Sequence, residues 1–256
     1  MQARNPYDIQ GLRVIGGIVA TVLEELALGA KPGITTADLD AMACRLLTEQ
    51  GAEATPIKEY DFPGALCVSI NDEVVHGIPG SRVLRQGDLL KLDLTADKHG
   101  FVADAARMVL LEPADPLSRR LADCSRRACE AAIAHARDGV SLTVLGGIIH
   151  DVAAKEGFRV VKDLCGHGVG RRTHEEPEVP NFADQSNSGL LRRGMVITIE
   201  PILSAGSGEV AETGDGWTLV TTDGSRTGHY EETVIIGRDN AEVVTIPVRY
   251  SVLNSS

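Results

Sequence analysis

The chain has 256 residues, 43% of them hydrophobic and 24% charged, with a formal net charge of -11. That length buries a full-sized core, and the acidic balance argues against a nucleic-acid footprint, which would be basic. No stretch approaches 18 consecutive apolar residues, so no membrane span is expected.

The N-terminal segment is read as a helix, not a signal peptide. Leu12, Ile15, Val19, Val22, Leu23 and Leu26 recur at helical spacing, interrupted by Asp8, Arg13, Glu24 and Glu25. A glycine and a new helix start follow, with Thr35 and Asp38 forming a capping box and Gly51 ending the second helix. Leu117, Leu121, Cys124, Ala128, Ala131 and His135 repeat the first pattern, Ser141 the N-cap and Gly157 the stop. Gly33 to Gly139 and Gly51 to Gly157 are both separations of 106, and Gly87 to Gly194 and Asp93 to Glu200 are both 107. A near-constant offset across helix, turn and strand implies two related α+β halves, roughly 7–112 and 113–237, with a short tail at 238–256. Such halves pack about a pseudo-two-fold, their strands joined in a mostly antiparallel central sheet with the helices on one face. Residues 1–256 are then expected to form a single domain.

Leu89–Ala96 and Phe101–Leu110 read as a hairpin around the loop Asp97-Lys98-His99-Gly100. That register sets Asp93 opposite Asp104, with Cβ atoms about 5 Å apart. Two facing carboxylates repel, and a divalent cation is the simplest compensation. The run Cys165-Gly166-His167-Gly168-Val169-Gly170-Arg171-Arg172-Thr173-His174 puts two histidines in an open, glycine-rich turn. Met195–Pro201 reads as a strand ending in a carboxylate, Glu200, and Gly228–Ile236 as another with Glu231 and Glu232 near its start. Alternation lets only one of those two face a cleft, and the residues alone leave the choice open. An oxygen-rich set with one imidazole suits Mn, Fe(II), Co or Zn, and so many carboxylates fit two ions better than one. His99, His135, His150 and His229 read as structural. Five scattered cysteines without a CxxC pair read as a reducing cytoplasm.

The ordered set Asp93, Asp104, His167, Glu200 and Glu231 resembles the dinuclear metal site of the pita-bread peptidases. The segments Cys67–Pro79, Leu92-Asp93-Leu94, Gly166–Pro177, Thr198–Pro201 and Tyr230–Thr233 resemble type I methionine aminopeptidases, over about Tyr7 to Ile236. The resemblance implies the α+β pita-bread fold and removal of N-terminal Met when the second residue is small. It implies that Asp104 and Glu231 bridge two divalent ions, that Asp93 chelates one, and that His167 and Glu200 complete the other. Glu200 also moves the proton, His174 contacts the substrate carbonyl, and His76 contacts the scissile amide. Tyr60, Phe62, Cys67, Trp217 and Thr173 line the Met pocket. Thr173 stands where the family often carries an aromatic, which implies a wider or wetter pocket, and Phe62 where a tyrosine is common.

The separation of 31 between Glu200 and Glu231 matches the type I pattern, and the absence of a leading extension matches the short bacterial one. Asn71 and Thr227 match positions that can hold a monovalent cation. The implied partners are the N-termini of nascent polypeptides near the ribosome, met by a cytoplasmic monomer that needs no nucleic acid or membrane. The alternatives are an X-Pro peptidase of the same fold, which usually carries a further N-terminal domain, and a non-catalytic member, which would have lost metal ligands.

Overall fold

The computed structural model describes residues 1–187 and 189–247, so residues 248–256 of the expected tail lie outside it. Among the described residues, five helices run Pro6–Gly29 (α1), Thr36–Glu49 (α2), Thr55–Tyr60 (α3), Pro116–His135 (α4) and Leu142–Lys155 (α5). The strands are Glu53–Ala54 (β1), Cys67–Ile70 (β2), Glu73–Val75 (β3), Leu89–Lys98 (β4), Phe101–Leu110 (β5), Arg159–Val160 (β6), Cys165–Gly168 (β7) and Glu175–Pro180 (β8). After them come Val196–Ile199 (β9), Ile202–Ser204 (β10), Val210–Glu212 (β11), Leu219–Thr221 (β12), Thr227–His229 (β13), Glu232–Ile236 (β14) and Ala241–Val243 (β15).

Matching features occur in the stretches 7–112 and 113–237. α1 and α4 each begin with proline after an asparagine or aspartate cap. Thr35 caps α2 through a complete capping box, and Ser141 caps α5. The six glycines that mark the repeat (Gly33, Gly51, Gly87, Gly139, Gly157 and Gly194) all lie at positive φ, a backbone region other residues rarely adopt. Even the isolated bridges correspond: Thr35 pairs with Val83 in one half and Ser141 with Leu190 in the other.

Every strand pair is antiparallel. In the first half β4 pairs with β5 along its whole length and with β1 and β2 besides. In the second half the order is β15-β14-β9-β7-β8. A bridge between Ala106 and Glu231 joins the edge of β5 to the start of β14, so the two sheets meet on a seam. Period-two alternation then divides β4: Leu90, Leu92, Leu94 and Ala96 join the core under α1 and α2, while Asp93 and Thr95 line a cavity on the other face. Likewise Ile197 and Ile199 of β9 pack into the core under α4 and α5. Among the described residues, no helix is long and apolar enough to cross a membrane.

The hairpin differs from its sequence reading. Its loop has two residues, His99 and Gly100, at φ 56 and 75, and Lys98 pairs with Phe101. Two successive positive φ values match the strand twist better than a longer loop would. Asp93 therefore sits opposite Ala106 and Asp104 opposite Thr95. The two carboxylates share a face as diagonal neighbours instead of facing each other, which leaves room between them. The segment 228–236 is also not one strand: β13 ends at His229 and β14 begins at Glu232.

Candidate active site

The break between β13 and β14 resolves the choice between Glu231 and Glu232. Glu231 projects into the cavity and is 2% exposed. Glu232 turns toward Arg107, which it meets at 2.8 Å. Arg107 also donates to the Glu231 carbonyl at 2.7 Å, so the Glu232 ion pair holds the backbone that carries Glu231.

His167 lies within β7 with its ring fixed. Nδ1 lies 2.9 Å from the Gly168 carbonyl, which can only accept, so Nδ1 carries the hydrogen and the Nε2 lone pair is free. That Nε2 lies 3.4 Å from Glu200 Oε1 and 3.9 Å from Asp104 Oδ2. Thr198 ties the pair, accepting from the His167 amide at 2.9 Å and donating to Glu200 Oε1 at 2.8 Å. Asp104 is held through its backbone, its amide donating to Thr233 Oγ1 at 3.0 Å and its carbonyl accepting from the same hydroxyl at 2.7 Å.

Charge crowding is severe. Burial, then the charges of Asp104 and Glu200, push Asp93 and Glu231 well above the usual carboxylate range. Burial would raise Glu200 too, but His229, His167 and the Thr198 hydroxyl outweigh it and hold this carboxyl low. Asp104 Oδ1, Glu231 Oε1 and His229 Nε2 are buried without any hydrogen-bond partner. Such atoms are costly unless something else satisfies them. Asp104, His167 and Glu231 form one set of ligand atoms within 4.8 Å of one another, and Glu200, His229 and Glu231 form a second that shares Glu231. Acidic oxygens with imidazole nitrogens, orphaned and convergent, fit divalent cations.

Every residue named from the sequence as a divalent-metal ligand, catalytic group or Met-pocket residue lines one cavity of about 200 Å³: Tyr60, Phe62, Cys67, His76, Asp93, Asp104, His167, Thr173, His174, Glu200, Trp217 and Glu231; Asn71 and Thr227 lie outside it. Phe62 and Trp217 meet edge to face at 5.1 Å and, with Ile202 and Leu164, give the cavity an apolar wall. His174 stands edge-on to His167 at 4.3 Å, and its Nδ1 is 2.7 Å from the Tyr60 hydroxyl. Burial, then the nearby His167, lowers its pKa, so its ring is neutral near pH 7. Burial lowers His76 as well, and its backbone is left-handed at φ 58, in the turn that follows β3. Cys67 is pushed well up by burial and then by Asp93, which makes it a poor nucleophile.

Two residues are added by the geometry. His229, read from sequence as structural, has Nε2 at 3.6 Å from both Glu200 Oε2 and Glu231 Oε2. Its spacing of two from Glu231 was the available signal, masked by the break between β13 and β14. Thr198, two residues before Glu200, shares its face and organises the His167–Glu200 pair.

Comparison with known proteins agrees with this geometry. Residues 10–238 match the model of metallopeptidase family M24. Methionine aminopeptidase 2 of Bacillus subtilis is 38% identical over 247 residues, covering 96% of this chain and 99% of that protein. The methionine aminopeptidase of Escherichia coli K12 is 35% identical over 246 residues, covering 95% and 93%. Among solved structures, a methionine aminopeptidase from Thermotoga maritima superposes with a TM-score of 0.92 at 34% identity, covering 96% of this chain and 99% of that one. A prolidase from Pyrococcus furiosus shares the pita-bread fold at a TM-score of 0.76 and 20% identity, with 66% of its length covered. With its acidic and imidazole ligand sets gathered at one cavity and its matched length, the chain belongs to metallopeptidase family M24.

Proposed function

We propose that this chain is a methionine aminopeptidase. It removes the N-terminal Met from newly made proteins whose second residue is small, with two divalent cations held by Asp93, Asp104, His167, Glu200 and Glu231. The observation that carries the reading is the junction of an apolar wall, Phe62 and Trp217, with a crowded carboxylate floor in one cavity. An unbranched thioether side chain suits the wall, and the neutral form of a free α-amine, a lone-pair donor, suits a floor that holds divalent cations.

The cations, when bound, supply Lewis acidity to a water and to the scissile carbonyl. The remaining work falls to the chain. Glu200, an ionised carboxylate, accepts a proton from the attacking water and returns it to the leaving amine. Tyr60, kept protonated by burial and by Glu59, donates to His174 Nδ1, which leaves Nε2–H of a neutral ring to stabilise the developing oxyanion. His76, neutral as well, hydrogen-bonds the amide being cut. His229 borders the shared Glu200–Glu231 oxygens and can hold them by hydrogen bond or join them as a ligand. The chain is read as one catalytic domain acting as a monomer in the cytoplasm, on chains emerging from the ribosome.

The test is hydrolysis of Met-Ala-Ser and of Ala-Pro substrates, with and without Mn(II) or Co(II). Free Met is expected from the first in metal only, with no cleavage of Ala-Pro. Absence of Met release with every metal tried overturns the proposal.

A further inference from the structure

Lys91 is the largest of the fully buried side chains, 1% exposed, on the cavity-side face of β4. A buried ammonium needs compensation, normally a carboxylate. Among the described residues, none forms an ion pair with it within 4.0 Å. Its Nζ instead donates to three oxygens: Asn71 O at 2.8 Å, Thr227 Oγ1 at 3.0 Å and Thr227 O at 3.4 Å. The oxygens are arranged to receive it. Asn71 is held left-handed at φ 59, its amide donating to the Leu89 carbonyl and its side chain to Asp88. The Thr227 hydroxyl has its own acceptor in Glu73 O at 3.1 Å, which leaves a lone pair for Lys91. A cage of carbonyl and hydroxyl oxygens without a carboxylate suits a desolvated monovalent cation.

The sequence resemblance implied a free monovalent cation at Asn71 and Thr227. We propose that in this protein Lys91 is that cation, tethered: its ammonium fills the oxygen cage and ties the two halves of the molecule together beside the active site. Asn71 belongs to the turn between β2 and β3, the strand that leads to His76. Thr227 opens β13, which leads through His229 to Glu231. Lys91 is thus a positioning residue for groups on both walls of the cavity, and the protein needs no potassium or sodium of its own.

The test is thermal unfolding of the whole chain in choline chloride and in potassium chloride at equal ionic strength. It is run at pH 6 because burial lowers this ammonium to about 7, against the pull of Glu73 and Asp72. The unaltered protein is expected to have the same Tm in both salts. Lys91→Ala vacates the cage, so its Tm falls in choline and recovers in saturating potassium by about 5–10 °C. A general packing loss would not distinguish the two cations. The proposal is overturned if the unaltered protein gains stability from potassium, or if Lys91→Ala melts alike in both salts. Should Lys91→Ala not fold in choline, folding restored by potassium supports the tethered cation, and failure in both salts refutes it. The readout is stability, so a negative result leaves the proposed peptidase activity standing.

Discussion

Thr173 is the pocket residue at which the sequence resemblance leads one to expect an aromatic, and its surroundings say how the threonine is accommodated. It is 3% exposed, its hydroxyl lies 2.8 Å from Thr55 Oγ1, and its amide donates to Glu59 Oε2 at 3.1 Å. The hydroxyl is therefore engaged with the first turn of α3 and is not an idle polar group in the pocket. What the position lacks is aromatic surface for a thioether, a contact worth about 0.3–1.5 kcal/mol. Thr173→Phe should raise the ratio of kcat/KM for Met-Ala-Ser over norleucine-Ala-Ser by about 2–10-fold, while Tm falls because Thr55 loses its partner. An unchanged ratio would mean that residue 173 does not touch the substrate side chain. The residue type at 173 is read directly from the sequence. The Thr55 partner, more than a hundred positions away, carried no such signal.

Among the elements, the capped helix pairs were the most legible, because cap, periodicity and terminal glycine are local properties of the chain. Thr35, Asp38, Ser141, Gly51 and Gly157 all take the expected roles. The β4–β5 register was not legible, since Asp97 and Lys98 are as polar as loop residues, yet they pair in the ladder with Val102 and Phe101. Nor was the seam between halves, where the Ala106–Glu231 bridge, the Asp104–Thr233 hydrogen bonds and Arg107 all take part. That guanidinium pairs with the buried Glu232, donates to the Glu231 carbonyl and stacks 4.7 Å from the Tyr230 ring. Burial alone would lower its pKa, but Glu232 outweighs that and raises it. Arg107→Met strands the Glu232 carboxylate, and breaking a buried pair this way costs about 3–5 kcal/mol. Urea unfolding should report that loss. Arg107→Lys keeps the charge without the fork and should restore only part of it. Full recovery with lysine would reduce the role of Arg107 to charge alone.

At the scale of the molecule, the site is acidic because carboxylates from distant parts of the chain converge on it. Asp93 and Asp104 arrive from the first half and Glu200 and Glu231 from the second, and all four line the same cavity. The metal-free chain answers this crowding by protonation: Asp93 and Glu231 sit well above their ordinary values, from burial first and then from Asp104 and Glu200. The sign follows directly. These groups hold protons in the folded, metal-free chain at pH values where the unfolded chain has lost them. Their contribution to stability is therefore largest at low pH and is lost as pH rises through their folded values. A divalent cation requires the ionised forms and must displace those protons, so its binding strengthens as the solution becomes less acidic. Apparent Mn(II) affinity should rise by about tenfold per pH unit for each proton released. Over the same range the gain in Tm from saturating Mn(II) should be larger at pH 8 than at pH 6. Calorimetric titration in two buffers of different ionisation enthalpy counts the protons. An affinity that does not change with pH, with no proton released, would mean that Asp93 and Glu231 are already ionised in the empty cavity. The orphaned oxygens of Asp104 and Glu231 would then need another explanation.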